Sequence, residues 1–257
     1  MDSHIYVDVH AHLHEYDYGF IANLLEVYPN LVIVAVSDDL ESSKKTLELA
    51  RHFPSRIVPC LGLHPWEVGK RDSPVEEAKK IVELALDTKV VCLGEIGLDT
   101  KFVSHTIGLQ RQVFNVFLEA ARDHNLFLNL HTAGTWEEVY RLLYRYDIKY
   151  ANFHWYTGPL SLLSQLKESG YTISINPAVR IQRKHRQIVS VADLDMMLTE
   201  SDAPYEYRGL TLKPSDVIGV VEEIAKIKGL DRDSVARQLT NNLRQRLEPL
   251  ASLILCL

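Results

Sequence analysis

The chain has 257 residues, which admits one large domain or two small ones, and α/β barrels commonly reach this size as a single unit. Apolar residues at 46% and charged residues at 24% give the balance of a soluble globular protein with a sizeable core. The formal net charge of −6 argues against a broad basic face wrapping duplex DNA but leaves room for a local phosphate site. Cys60, Cys92 and Cys256 form no framework of even number and regular spacing, so a reducing, cytoplasmic compartment is expected. The N-terminus carries no basic and apolar leader, and the apolar tail from Leu250 to Leu257 is far too short to span a bilayer, so no membrane role is expected.

The first β-rich run, Ile5–Val9, leads directly into Asp8-Val-His10-Ala-His12. Further runs follow at Leu31–Val36, Ile57–Leu61, Val90–Leu93, Leu126–Leu130, Tyr150–Phe153, Tyr171–Ile175 and Asp195–Leu198. Amphipathic stretches lie between them. Phe114, Phe117, Leu118 and Ala121 share one helical face, and a helix entered at Pro214 carries Val217, Val220, Val221 and Ile224 before a stop at Gly229. The last run has the poorest strand pattern, with Asp193 and Asp195 among Leu194, Met196 and Met197. Eight strands each followed by a helical stretch require parallel pairing with right-handed crossovers. The phosphate-binding glycine fingerprint of an open doubly wound sheet is absent after the first strand. The expectation is one domain over residues 1–257, a (β/α)8 TIM barrel, with an extra terminal helix over 231–247.

In such barrels chemistry sits at the C-terminal ends of the strands. There the sequence places His10 and His12, His64, Glu95 and Asp99, His131, His154, and Glu200 with Asp202. A single strand-end histidine is more often a packing residue than a ligand. Six strands delivering imidazole or carboxylate to one face is a different matter, and convergence favours a site. Imidazoles and carboxylates without an organised cysteine set suit divalent ions such as Zn, Mn, Mg, Co or Fe. His10 and His12, two apart on a strand, point to the same side and can share one ion. Glu95 could bridge two ions, with His131 and His154 supplying the second. Asp202 could ligate the first ion and take a proton from the attacking water. His14 lies beyond this pair and reads as an ordinary loop residue.

On these residues the sequence resembles the TatD family of metal-dependent deoxyribonucleases, within the amidohydrolase-like barrels. The resemblance runs through Asp8-Val-His10-Ala-His12, Gly62-Leu-His64-Pro65, Gly94-Glu95-Ile-Gly97-Leu-Asp99, His131, His154, Ser201-Asp202-Ala-Pro204-Tyr205 and Thr240-Asn-Asn242. It implies a TIM barrel, a binuclear metal site and hydrolysis of DNA phosphodiesters, often from the 3′ end. It assigns His10, His12, Glu95, His131, His154 and Asp202 to the metals, with Glu95 and Asp202 in catalysis, and makes His64 a substrate-facing catalytic residue. The chain departs from the family pattern at Thr100-Lys101, where a tyrosine usually follows the aspartate, at Trp155-Tyr156-Thr157, and at Asn176-Pro-Ala-Val-Arg180.

Two features bear on substrate. The basic stretch from Arg180 to Arg186 follows strand seven, where barrel loops often bind phosphate, and Arg180 is the residue nearest the strand. Trp66, Trp155 and Tyr205, each close behind a proposed functional residue, could stack on bases or pack their loops. The expected partner is DNA, as ends or single strands. The alternatives are a hydrolase of a small amide, lactone or phosphate ester, and a metal-binding barrel used as a scaffold without catalysis.

Overall fold

Eight parallel strands alternate with helices in a computed structural model that describes residues 4–246. The strands are β1 (Tyr6–Ala11), β2 (Leu31–Ala35), β3 (Ile57–Pro59), β4 (Cys92–Gly97), β5 (Phe127–His131), β6 (Ala151–Phe153), β7 (Thr172–Ile175) and β8 (Met197–Thr199). The helices of the first half are α1 (Tyr18–Val27), α2 (Leu40–His52), α3 (Pro65–Val68), α4 (Pro74–Asp87) and α5 (Ile107–His124). Those of the second half are α6 (Trp136–Arg145), α7 (Leu163–Glu168), α8 (Arg183–Val191), α9 (Val217–Lys228) and α10 (Arg232–Arg246). A short hairpin, β9 (Glu206–Tyr207) and β10 (Leu210–Thr211), follows β8.

Strands β1 to β3 pair in order, as do β4 to β8. Two seams close the ring. Leu61 N–H donates to Cys92 O at 3.1 Å and Gly94 N–H to Leu61 O at 2.8 Å, joining β3 to β4. Asp202 N–H donates to His10 O at 2.9 Å and His12 N–H to Ala203 O at 2.7 Å, joining β8 to β1. Closure brings residues from opposite ends of the chain to one mouth.

Strands buried on both faces read as continuous apolar runs, and Leu31-Val-Ile-Val-Ala35 is buried throughout. The face expected in α5 is the buried one, including Phe114, Phe117, Leu118 and Ala121. Helix α9 starts after a 3-10 turn at Pro214–Asp216 and ends at Gly229, whose φ of 66° is the left-handed cap that glycine adopts without a Cβ clash. Asp39 caps α2 by accepting from Ser42 N–H at 2.7 Å, while Ser42 Oγ accepts from Asp39 N–H at 2.8 Å.

Two sequence expectations shift. The last strand begins at Met197, after a 3-10 turn over Leu194–Met196. That turn is held from α10, where Asn242 Nδ2 donates to Leu194 O at 2.6 Å and Met197 O at 2.8 Å. The unpaired reading of the cysteines is corrected for two of the three. Cys60 and Cys92 form a disulfide, because the β3–β4 seam brings together residues 32 apart in the chain. Cys256, the apolar tail and the end of the expected terminal helix at Leu247 lie outside the described residues. No helix among the described residues is long and apolar enough to cross a membrane.

Candidate metal centre

Glu95, on β4, is 1% exposed and sits at the centre of the mouth. Its two oxygens face different histidines. Oε2 lies 3.1 Å from His10 Nε2 and 3.3 Å from His12 Nε2, both at the end of β1. Oε1 lies 2.6 Å from His131 Nδ1, 3.3 Å from His64 Nε2 and 3.5 Å from His154 Nε2. Asp202, after β8, joins the first group, with Oδ1 3.5 Å from His10 Nε2 and 3.6 Å from His12 Nε2. The structure therefore converges all six residues expected as ligands on one point, and brings His64 there as a seventh.

The far side of each ring shows which nitrogen is left as an electron-pair donor. Asn129 Nδ2 donates to Val9 O at 2.7 Å, so its Oδ1 accepts from His10 Nδ1 at 2.9 Å, and His10 Nε2 is free to ligate. His131 Nε2 lies 2.9 Å from Asp99 Oδ2 and His154 Nδ1 lies 3.3 Å from Glu200 Oε2, which leaves Nδ1 and Nε2 respectively facing Glu95. His12 Nδ1 faces Asp38 Oδ1 at 3.0 Å, close but misaligned for a hydrogen bond. His64 is arranged the other way round. Its Nδ1 accepts from Trp66 N–H at 3.1 Å, so a neutral His64 carries its proton on Nε2 and presents a donor to the site. Four rings are set up as ligands and one as a hydrogen-bond donor.

The donor set fits divalent ions. His10, His12 and Asp202 form one group whose ligand atoms lie within 4.8 Å of one another, Glu95 and His131 stand together in a second beside the donor His64, and His10 and His154 meet in a third with Glu200. Electrostatics favour a cation. Burial disfavours the charged form of His10 and His131, yet the neighbouring carboxylates outweigh it and raise both to about 9. Burial opposes ionisation of Glu95 as well, but His64, His10 and His154 hold it well below the usual carboxylate range. Asp202 is lowered in the same way, against burial, by His154, His12 and His10. Asp99 is held at about 2, burial being overcome by hydrogen bonds from His131, Phe102 N–H and Trp66. Beneath the site Asp8 goes the other way. Burial pushes it up to about 8 even though Ser201 donates to it from both its backbone N–H and its hydroxyl.

Several residues of this shell were not singled out by the sequence reading. Asp38 stands behind His12 and, at 3.1 Å, beside His14 Nε2, so His14 belongs to a His12–His14–Glu15–Asp38 group rather than to a plain loop. The positional signal was there: Asp38 follows β2 as Glu95 ends β4. Asp99, Asn129 and Glu200 were visible only inside motifs. Their role as partners of His131, His10 and His154 is tertiary.

The mouth opens into a cavity of about 330 Å³. Trp66 lines it and is pinned by donating Nε1–H to Asp99 Oδ2 at 2.6 Å. Trp155 and Tyr205 line it too, packed edge to face at 5.9 Å, and Tyr207 of the β9–β10 hairpin meets Trp155 at 5.1 Å. Arg180 is not brought into the lining. It points to α9, where its guanidinium stands 2.0 Å from the position a Cβ on Gly219 would take. His185, inside the same basic stretch, is buried and lowered to about 4 by burial, with Asn176 N–H donating to its Nε2 at 3.2 Å.

A closed parallel barrel with this centre defines a metal-dependent hydrolase. The chain belongs to the TatD related DNase family, whose model matches residues 7–248. It is 29% identical over 245 residues to an uncharacterised metal-dependent hydrolase of Methanocaldococcus jannaschii, covering 92% of this chain and 94% of that one. It is 26% identical over 221 residues to the Danio rerio protein named "Putative deoxyribonuclease tatdn3", covering 82% and 83% of the two chains. Among solved structures, the Escherichia coli TatD homologue YjjV superimposes with a TM-score of 0.82 at 24% identity, covering 93% of this chain and 96% of that one. A TatD-family hydrolase of Entamoeba histolytica gives 0.80 at 17%, covering 93% and 97%. At these identities the two structures speak for the fold.

Proposed function

We propose that the protein hydrolyses DNA phosphodiester bonds with two divalent ions. One observation carries the reading: the two oxygens of Glu95 face separate ligand groups, His10, His12 and Asp202 on one side and His131 and His154 on the other. Two such ions supply an activated water and offset charge on the attacking and leaving oxygens. The chain's own residues do the rest. Asn129, Asp99 and Glu200 orient His10, His131 and His154, and Asp38 places its charge behind His12. Asp202, low in pKa and therefore a modest base, orients the nucleophilic water and relays its proton. His64, its ring held by Trp66 N–H, offers its Nε2–H to a phosphate oxygen in exchange for Glu95 Oε1 and His131 Nδ1, which it faces at 3.3 and 3.2 Å. The deoxyribonuclease naming of relatives supports the choice of DNA.

A second reading, a hydrolase of small esters, amides or lactones, is favoured by the cavity, whose roughly 330 Å³ lies within the range of small-molecule sites. One experiment separates the two. Metal-stripped protein is reloaded with Mg²⁺, Mn²⁺ or Zn²⁺ and assayed on end-labelled single-stranded and duplex DNA beside a panel of small esters. Cleavage of DNA in at least one metal form is expected. Turnover of esters with DNA left intact would overturn the proposal.

A further inference from the structure

We infer that Lys101, Trp136 and Lys184 form a track that carries the phosphate backbone of a single DNA strand away from the metal centre. The inference rests on the DNA-hydrolase reading and supplies cations for the substrate contact from which Arg180 is diverted. Lys101 and Trp136 line the cavity, and the Lys184 ammonium stands outside that lining. Both lysines lie over the Trp136 ring, 4.9 and 5.4 Å from its centroid. Arg111 and Arg186, by contrast, are held by carboxylates, Arg111 by Glu138 at 2.6 Å and Arg186 by Glu223 at 3.1 Å. Lys101 and Lys184 have no carboxylate within 4.0 Å among the described residues. A cation–π contact leaves ammonium hydrogens free for phosphate oxygens.

The track is rooted in the metal centre. Asp99 accepts from His131 Nε2 through one oxygen and, through the other, from Lys101 N–H at 2.7 Å and Phe102 N–H at 2.8 Å. One carboxylate thus sets both a ligand ring and the start of the track. Thr100 N–H donates to Ala133 O at 3.0 Å, which ties this loop to the turn before α6. In that turn Gly134, at φ 82°, would place a Cβ 3.3 Å from Lys101 Cγ, so the lysine stem lies against the turn. Trp136 is wedged at its other side by Gly158, where a Cβ would come within 2.7 Å of its Cγ. Next to Lys101, Phe102 is 65% exposed and packs edge to face on Trp66 at 5.5 Å, offering a free ring face. Cations tracking the backbone beside aromatic platforms are what single-strand sites combine.

The test measures binding apart from cleavage. In Asp202→Asn protein loaded with Mn²⁺, the affinity for a labelled oligothymidylate is read by fluorescence anisotropy across a salt series. Each single-strand phosphate contact contributes about 0.7 to the slope of log affinity against log salt, so losing both lysines should make it shallower by about 1.4. Lys101→Gln and Lys184→Gln should each give about half of that, and Lys101→Arg with Lys184→Arg should restore the parent slope. The track is overturned if the double glutamine variant keeps the parent slope, or if the parent does not bind the oligonucleotide. Wild-type cleavage is scored separately. Lysine-dependent binding without cleavage leaves the track standing and removes the hydrolase reading, whereas cleavage with a lysine-independent slope does the reverse.

Discussion

Glu95→Gln is the sharpest perturbation of the proposed centre, because it removes one charge while keeping the side-chain shape. At an effective dielectric of about 20, a carboxylate and a single positive charge about 3 Å apart interact by about 5 kcal/mol, which serves as the scale for the carboxylate's hold on an ion. The amide retains one oxygen as a neutral ligand, so roughly half of this is a reasonable loss at the site that keeps the oxygen. With about 1.4 kcal/mol per factor of ten, the expected weakening is on the order of 10²-fold at one site and 10³-fold or more at the other. Both ions should be affected, since Oε1 and Oε2 face different ligand groups. The assay is elemental analysis after dialysis, with calorimetric titration of Mn²⁺ or Zn²⁺ into stripped protein and a melting curve to show that the fold persists. Wild-type stoichiometry and affinity in a folded Glu95→Gln protein would refute the bridging role. Selective loss of a single ion would refute the division of its two oxygens.

Asp202→Asn, fully loaded with metal, should slow single-turnover DNA cleavage by about 10²–10⁴, the usual cost of losing a general base, and a wild-type rate would remove Asp202 from that role. Asp99→Asn should weaken metal binding by about 10–100-fold in a chelator competition, as losing a partner behind a ligating histidine does, and should shift Trp66 emission because its indole N–H loses a charged acceptor. His185, which also feels the charges of Glu200 and His154, provides a pH dependence at a residue that is not itself a proposed ligand. Burial lowers it from 6.5 to about 4 in the fold, so the unfolded chain binds more protons in that interval. Its contribution is present in full above pH 6.5 and is lost as pH falls towards 4, by about 3 kcal/mol in all. Urea unfolding between neutral and acid pH should therefore show a shallower decline for His185→Gln than for wild type, and parallel curves would contradict the assignment.

Much of this protein is legible without coordinates. The continuous apolar runs and the helical patterns between them set out eight βα units, because strands covered on both faces must be apolar throughout and their crossover helices need only one apolar face. The same order placed His10, His12, His64, Glu95, His131, His154 and Asp202 at strand ends, and a parallel barrel gathers every such end at one mouth. What stayed hidden depends on distance through space rather than along the chain. The partners that turn each imidazole, Asn129 for His10, Asp99 for His131 and Glu200 for His154, are polar residues whose direction is decided by packing across the barrel. The Cys60–Cys92 disulfide depends on the seam between β3 and β4. Arg180 looked like a substrate residue because it follows β7, but its long side chain could turn either way, and the gap above Gly219 drew it towards α9. Position along a strand is written in the local pattern. The direction of a flexible side chain is settled only by the neighbours that tertiary packing supplies.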